Sequence, residues 1–126
     1  MGETGIDEQS AYILEYPGGK LAVLFAAVRT QSPSEAIILG TEGRIRVHAP
    51  FYRSPRLTLS VNGKPDEVIE LPLEGNGFNY EAAEVMRCMR EGQIESEVMP
   101  HAETQAIMQI MDQIRAPWGL KYPGEK

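Results

Sequence analysis

The chain has 126 residues, of which 42% are hydrophobic, and a formal net charge of −6. That length suits one domain able to bury roughly two-thirds of its unfolded surface, and the acidic balance repels nucleic acid and anionic membranes. A single cysteine, Cys88, excludes an internal disulfide, and no apolar run approaches the roughly 20 residues that span a bilayer.

These features fit a reducing compartment, and a soluble cytoplasmic domain is the expectation. The first residues, Met1-Gly2-Glu3-Thr4, are acidic and lack the apolar stretch of a signal peptide. Residues 7–16 are β-prone and end at Pro17-Gly18-Gly19, a turn signal. Residues 21–29 follow closely enough to form an antiparallel hairpin with them. Ala36 to Leu39 is a compact apolar run, and Gly40-Thr41-Glu42-Gly43 turns it into residues 44–49. There Ile45 and Val47 alternate with Arg44, Arg46 and His48, the period of a strand with one wet face. Residues 56–61, the Asn62-Gly63 turn and residues 67–71 predict a third hairpin.

The period then changes. Phe78, Ala82, Val85, Met86 and Met89 share one helical face, with Gly92 at its end. Ile107, Ile110, Met111 and Ile114 share a second, between Pro100 and Pro117. Strands followed by helices predict an α+β fold, a mostly antiparallel sheet of about six strands with two C-terminal helices on one face.

The stretch Leu21-Ala22-Val23-Leu24-Phe25-Ala26-Ala27-Val28 is apolar without alternation. A strand apolar on both sides is usually buried on both sides, and two helices cover one face of such a sheet. The other face therefore calls for a partner surface, and a homo-oligomer formed through it is expected. The alternative is a central strand whose small Ala22, Ala26 and Ala27 tolerate partial exposure.

Candidate chemistry is sparse. Gly75-Asn76-Gly77-Phe78-Asn79-Tyr80-Glu81 follows a strand and opens a helix, the setting of a dinucleotide fingerprint. Glu81 stands where the third glycine belongs, and a carboxylate there opposes a pyrophosphate. The segment reads as a turn in which Asn76 or Asn79 caps the helix. Arg44, Arg46, His48, Arg53 and Arg56 form a basic cluster able to grip a carboxylate or phosphate, or else a solvated edge that discourages strand pairing. His48 and His101 lack short-spaced metal partners. Cys88, between Met86 and Met89, reads as a buried, unreactive thiol. No complete active site, cofactor cradle or metal motif emerges.

Taken in order, several segments resemble the C-terminal part of Gfo/Idh/MocA-type oxidoreductases, the glucose–fructose oxidoreductase and inositol dehydrogenase relatives. They are Gly5-Ile6-Asp7-Glu8, Gly40-Thr41-Glu42-Gly43 leading to Pro50-Phe51, and Gly75 through Ala82. Glu95-Ser96-Glu97-Val98-Met99-Pro100-His101-Ala102-Glu103-Thr104 and the ending Trp118-Gly119-Leu120-Lys121-Tyr122-Pro123 are most similar to its dihydrodiol and D-xylose dehydrogenase branch. The resemblance implies that residues 1–126 form the C-terminal sheet domain for substrate and dimer contacts, without the N-terminal Rossmann domain that binds NAD or NADP in the parent. It implies a sugar, polyol or diol as the parent's substrate, with Asn76, Phe78 and Tyr80 lining the pocket. The fragment is expected to be inactive alone, with no catalytic, cofactor-binding or metal residue of its own. Two other readings stay open: a free-standing, non-enzymatic dimerisation module, and a small anion-binding protein using the Arg44 to Arg56 cluster.

Overall fold

The computed structural model describes residues 2–3, 5–121 and 124. Met1 and Thr4 of the acidic N-terminus, and Tyr122-Pro123 of the ending, lie outside the described residues. Among the described residues, six antiparallel strands and two long helices make an α+β fold, as the sequence predicts. The strands are divided between two sheets, and the chain between two compact units. One unit holds Met1–Ser32 and Glu95–Lys126; the other is Pro33–Ile94.

In the first unit β1 (Gln9–Tyr16) and β2 (Lys20–Ala27) form a hairpin. The predicted turn closes it, with Gly18 and Gly19 both in the left-handed region at φ 84° and 75°. Residues directly opposite in an antiparallel pair share a face. Tyr12 opposite Leu24 and Leu14 opposite Ala22 therefore form one face, and Ile13 opposite Val23 and Ala11 opposite Phe25 the other. The Tyr12 face is partly covered: its ring stacks on Trp118 with centroids 6.0 Å apart. Trp118 lies in the 3-10 turn that follows α2 (His101–Arg115). The Ile13 face is open, with Ile13 at 73% and Val23 at 77% exposure.

The second unit is a meander of four strands, β3 (Ala36–Gly40), β4 (Gly43–Val47), β5 (Arg56–Val61) and β6 (Glu67–Glu70), in that spatial order. Ile38, Ile45 and Leu59 lie in one cross-strand row, and Val47, Leu57 and Ile69 in the next. They make an apolar face. Arg44 with Ser60 and Arg46 with Thr58 occupy the reverse side.

The helix α1 (Phe78–Glu91) ends at Gly92, left-handed at φ 68°, with the Gln93 N–H donating to Cys88 O at 2.9 Å. This is the αL termination the sequence predicts. Its apolar stripe, however, is exposed at Phe78, Val85, Met86 and Met89. Cys88, at 7% exposure, is the one buried apolar side chain among the described residues. No helix of the described residues is long and apolar enough to cross a membrane.

Gly43 shows how tightly the meander is built. A β-carbon there would lie 2.2 Å from Ser60 O and 3.1 Å from Val61 Cα, both backbone atoms that cannot step aside. Gly43→Ala is expected to destabilise the protein by about 1–3 kcal/mol, read as a lower urea midpoint at unchanged slope.

Candidate functional site

The three residues marked as substrate-lining, Asn76, Phe78 and Tyr80, lie together on the short connection from β6 to α1 and the first turn of that helix. All three are exposed. The connection is held by local bonds. Asn76 Oδ1 accepts from the Phe78 N–H at 3.2 Å, and Gly77 O accepts from the Tyr80 N–H at 3.1 Å. The Tyr80 hydroxyl accepts from the Glu74 N–H at 2.9 Å, tying the start of the loop to the helix. Gly77 occupies the N-cap at φ 96°, where an L side chain would be strained. The Asn76 side chain thus serves the helix start, as its composition suggests, from one position before the cap.

This arrangement does not fit a dinucleotide pyrophosphate. Such a group is bound by free N–H donors at a helix N-terminus, and here the Phe78 and Tyr80 N–H groups already have acceptors. Glu81 adds a carboxylate in the first turn. The strand before the loop also belongs to an antiparallel meander, where the fingerprint needs a βαβ unit.

The basic cluster is partly assembled. Arg46, His48 and Arg56 line a cleft of about 410 Å³ on the polar face of the meander, together with Glu35 and Glu70. Arg44 lies on the same face one row along, and Arg53 is in the 3-10 turn Phe51–Arg53. Arg46 is bidentate on Glu35, Nε to Oε2 at 3.0 Å and Nη2 to Oε1 at 2.7 Å. That bond holds the Glu35 carboxyl below its ordinary range and raises the Arg46 guanidinium. His48 Nε2 and Thr58 Oγ1 are 2.8 Å apart. Two carboxylates among three basic residues leave little net field for an anion, which weighs against the anion-binding alternative. The sequence reading missed Glu35 and Thr58. Their signal is the register, since pairing Ala36 with Val47 sets Glu35 diagonal to Arg46.

The remaining candidates are structural. Burial pushes the Cys88 thiol up, and the hydrogen bond it shares with the Glu84 carboxylate adds to this. His101 opens α2, where Glu95 Oε2 accepts from its backbone N–H at 2.7 Å and lies 3.4 Å from Nδ1. A carboxylate at a helix N-terminus is a favourable placement.

An antiparallel meander feeding a helix through a polar loop is an α+β arrangement. No protein-family profile matches the chain. Curated relatives do. It is 38% identical over 127 residues to the trans-1,2-dihydrobenzene-1,2-diol dehydrogenase of Danio rerio, covering 95% of this chain and 37% of that protein. The enzyme of the same name from Xenopus tropicalis is 34% identical over 131 residues, and that from Homo sapiens 28% over 129; each match covers 98% of this chain and 39% of the relative. The chain thus spans under two-fifths of the length of the relatives it matches. Over that span it is similar to these dihydrodiol dehydrogenases, in line with its resemblance to the C-terminal part of the Gfo/Idh/MocA oxidoreductases.

The Glu35–Arg46 pair gives a pH signature. A carboxyl whose folded pKa is lowered contributes stability above its unfolded value, about 4.3 for Glu, and that contribution is lost as pH falls through the folded value. Urea midpoints measured against pH are expected to favour the parent chain over Glu35→Gln at neutral pH, with the difference closing on acidification below that range.

Proposed function

We propose that the chain is the C-terminal, substrate-side domain of an NAD(P)-dependent oxidoreductase acting on a diol, and that it is inactive without a nucleotide-binding partner domain. The observation that carries this is the alignment of almost the whole chain with named dihydrodiol dehydrogenases while it covers under two-fifths of their length. Hydride transfer from a diol carbon needs a bound acceptor and a base beside the hydroxyl. The loop before α1 does not fit the cofactor, so cofactor binding is assigned to the remainder of the parent.

The chain's own part is to bind and orient. Asn76 has its Oδ1 committed to the helix start, which leaves its Nδ2 donors for a substrate hydroxyl. Phe78 and Tyr80, exposed on the same loop, offer an apolar wall for a carbocyclic ring. The open Ile13–Val23 face of the hairpin is the surface through which the rest of the protein, or a second copy, excludes water.

The test is a chimera in which this chain replaces the matching segment of the Danio rerio enzyme. The chimera is expected to reduce NAD or NADP with trans-1,2-dihydrobenzene-1,2-diol, and Asn76→Ala in it is expected to raise KM about 5- to 30-fold, the worth of one to two kcal/mol of hydrogen bonding. The chain alone is expected to leave NAD(P)H fluorescence unchanged. A folded, cofactor-binding chimera without diol oxidation contradicts the proposal, as does micromolar NAD(P)H binding by the isolated chain.

A further inference from the structure

An asparagine followed by glycine is open to a reaction within the chain itself. The nitrogen of the following peptide can attack the asparagine side-chain carbonyl carbon, and glycine sets no side chain in the way. The chain has three asparagines. Asn62 and Asn76 each precede a glycine, while Asn79 precedes Tyr80 inside α1.

The fold treats the two Asn-Gly pairs differently. Asn62 sits at the turn of the β5–β6 hairpin with both nitrogens engaged: its N–H donates to Glu42 O at 2.9 Å and its Nδ2 to Thr41 O at 3.2 Å. Its amide is thereby tied to the β3–β4 turn, and the nitrogen that would have to leave is held. Asn76 is exposed, between Gly75 and Gly77, which are both left-handed at φ 60° and 96°. Its Oδ1 accepts from the Phe78 N–H at 3.2 Å, the contact that folds an asparagine amide back over the peptide between. That fold brings Asn76 Cγ alongside the Gly77 nitrogen. Among the described residues neither the Gly77 N–H nor Asn76 Nδ2 has a hydrogen-bond partner. The Phe78 N–H also stands where negative charge develops on Oδ1 during the attack, the placement of an oxyanion donor.

We propose that Asn76 is a self-modification site, the asparagine at which the folded chain deamidates first. The Gly77 nitrogen gives its proton to hydroxide and forms a bond to Asn76 Cγ. The Cγ–Nδ2 bond breaks, and the departing nitrogen takes a proton from water to leave as ammonia, so a succinimide ring remains. Water then opens the ring. Opening at Cγ gives aspartate on the normal backbone; opening at the Asn76 backbone carbonyl gives an isoaspartyl link, with Gly77 carried on the former side chain. Water is consumed, ammonia is released, and nothing is oxidised or reduced. Either product sets a carboxylate just before the N-cap of α1, where the helix dipole favours it, and removes the Nδ2 donors. The modification itself does not rest on the proposed enzymatic role. Its consequence does: the substrate contact assigned to those donors is lost as the chain ages.

Peptide mapping by mass spectrometry of the 126-residue chain, held in mildly alkaline buffer, follows the conversion of each asparagine to acid. An isoaspartyl-specific methyltransferase detects the rearranged product. In concentrated urea the fold no longer separates the two Asn-Gly pairs, and Asn62 and Asn76 are expected to convert at similar rates. In the folded chain Asn76 is expected to lead Asn62 by about tenfold, the scale of one hydrogen bond's effect on a barrier. Its rate is expected to fall on mild acidification, as the Gly77 nitrogen keeps its proton. Asn76→Gln, which would need a larger ring, is expected to abolish the fast phase and leave the Asn62 rate unchanged. The same Asn76-to-Asn62 ratio in urea and in buffer, a lead for Asn62 in the folded chain, or no isoaspartate at position 76 overturns the proposal.

Discussion

Hydrogen bonding between two strands satisfies their backbones but leaves each with two faces of side chains. When both faces are apolar, something must lie against each of them, because exposed aliphatic surface costs about 25 cal/mol per Å² relative to burial. In β2 every residue from Leu21 to Ala27 is apolar. The stack of Tyr12 on Trp118 helps one side of the hairpin, while among the described residues the Ile13–Val23 side is open. A two-stranded hairpin is at best marginally stable by itself. That is the ground for the partner surface proposed for it.

The same imbalance recurs in the other unit. The meander has a defined polar face, held by the Glu35–Arg46 fork and the His48–Thr58 contact. The stripe of α1 carries Val85, Met86 and Met89 in the open, while its shielded side holds Cys88 beside the Glu84–Arg87 pair. The loop before α1 is rigidified by its own bonds, so Asn76, Phe78 and Tyr80 can be presented to a ligand without being packed. Local order with missing burial fits the proposed seat in a longer protein, and the alignment with dihydrodiol dehydrogenases supports that proposal.

Much of the local structure was legible. Asn62-Gly63 and Pro17-Gly18-Gly19 mark their turns, residues 56–61 form a strand with the predicted bounds, and both helices lie where their apolar spacing places them. Periodicity reports which residues share a face, not what meets that face. The division of six strands into two sheets and the exposure of the α1 stripe were for that reason beyond it. The same holds for the site: Asn76 could be read as a helix-start residue from its type and place, but the Tyr80–Glu74 and Arg46–Glu35 contacts depend on loop closure and strand register.

The most direct measurement of the central claim is the reactivity of a thiol placed at the middle of the open face. Val23→Cys in the isolated chain is expected to be alkylated at the rate of a free, exposed thiol, and to be strongly protected when the chain is joined to the remainder of a dihydrodiol dehydrogenase. Equal reactivity in the two settings would contradict the claim that this face is built to be covered.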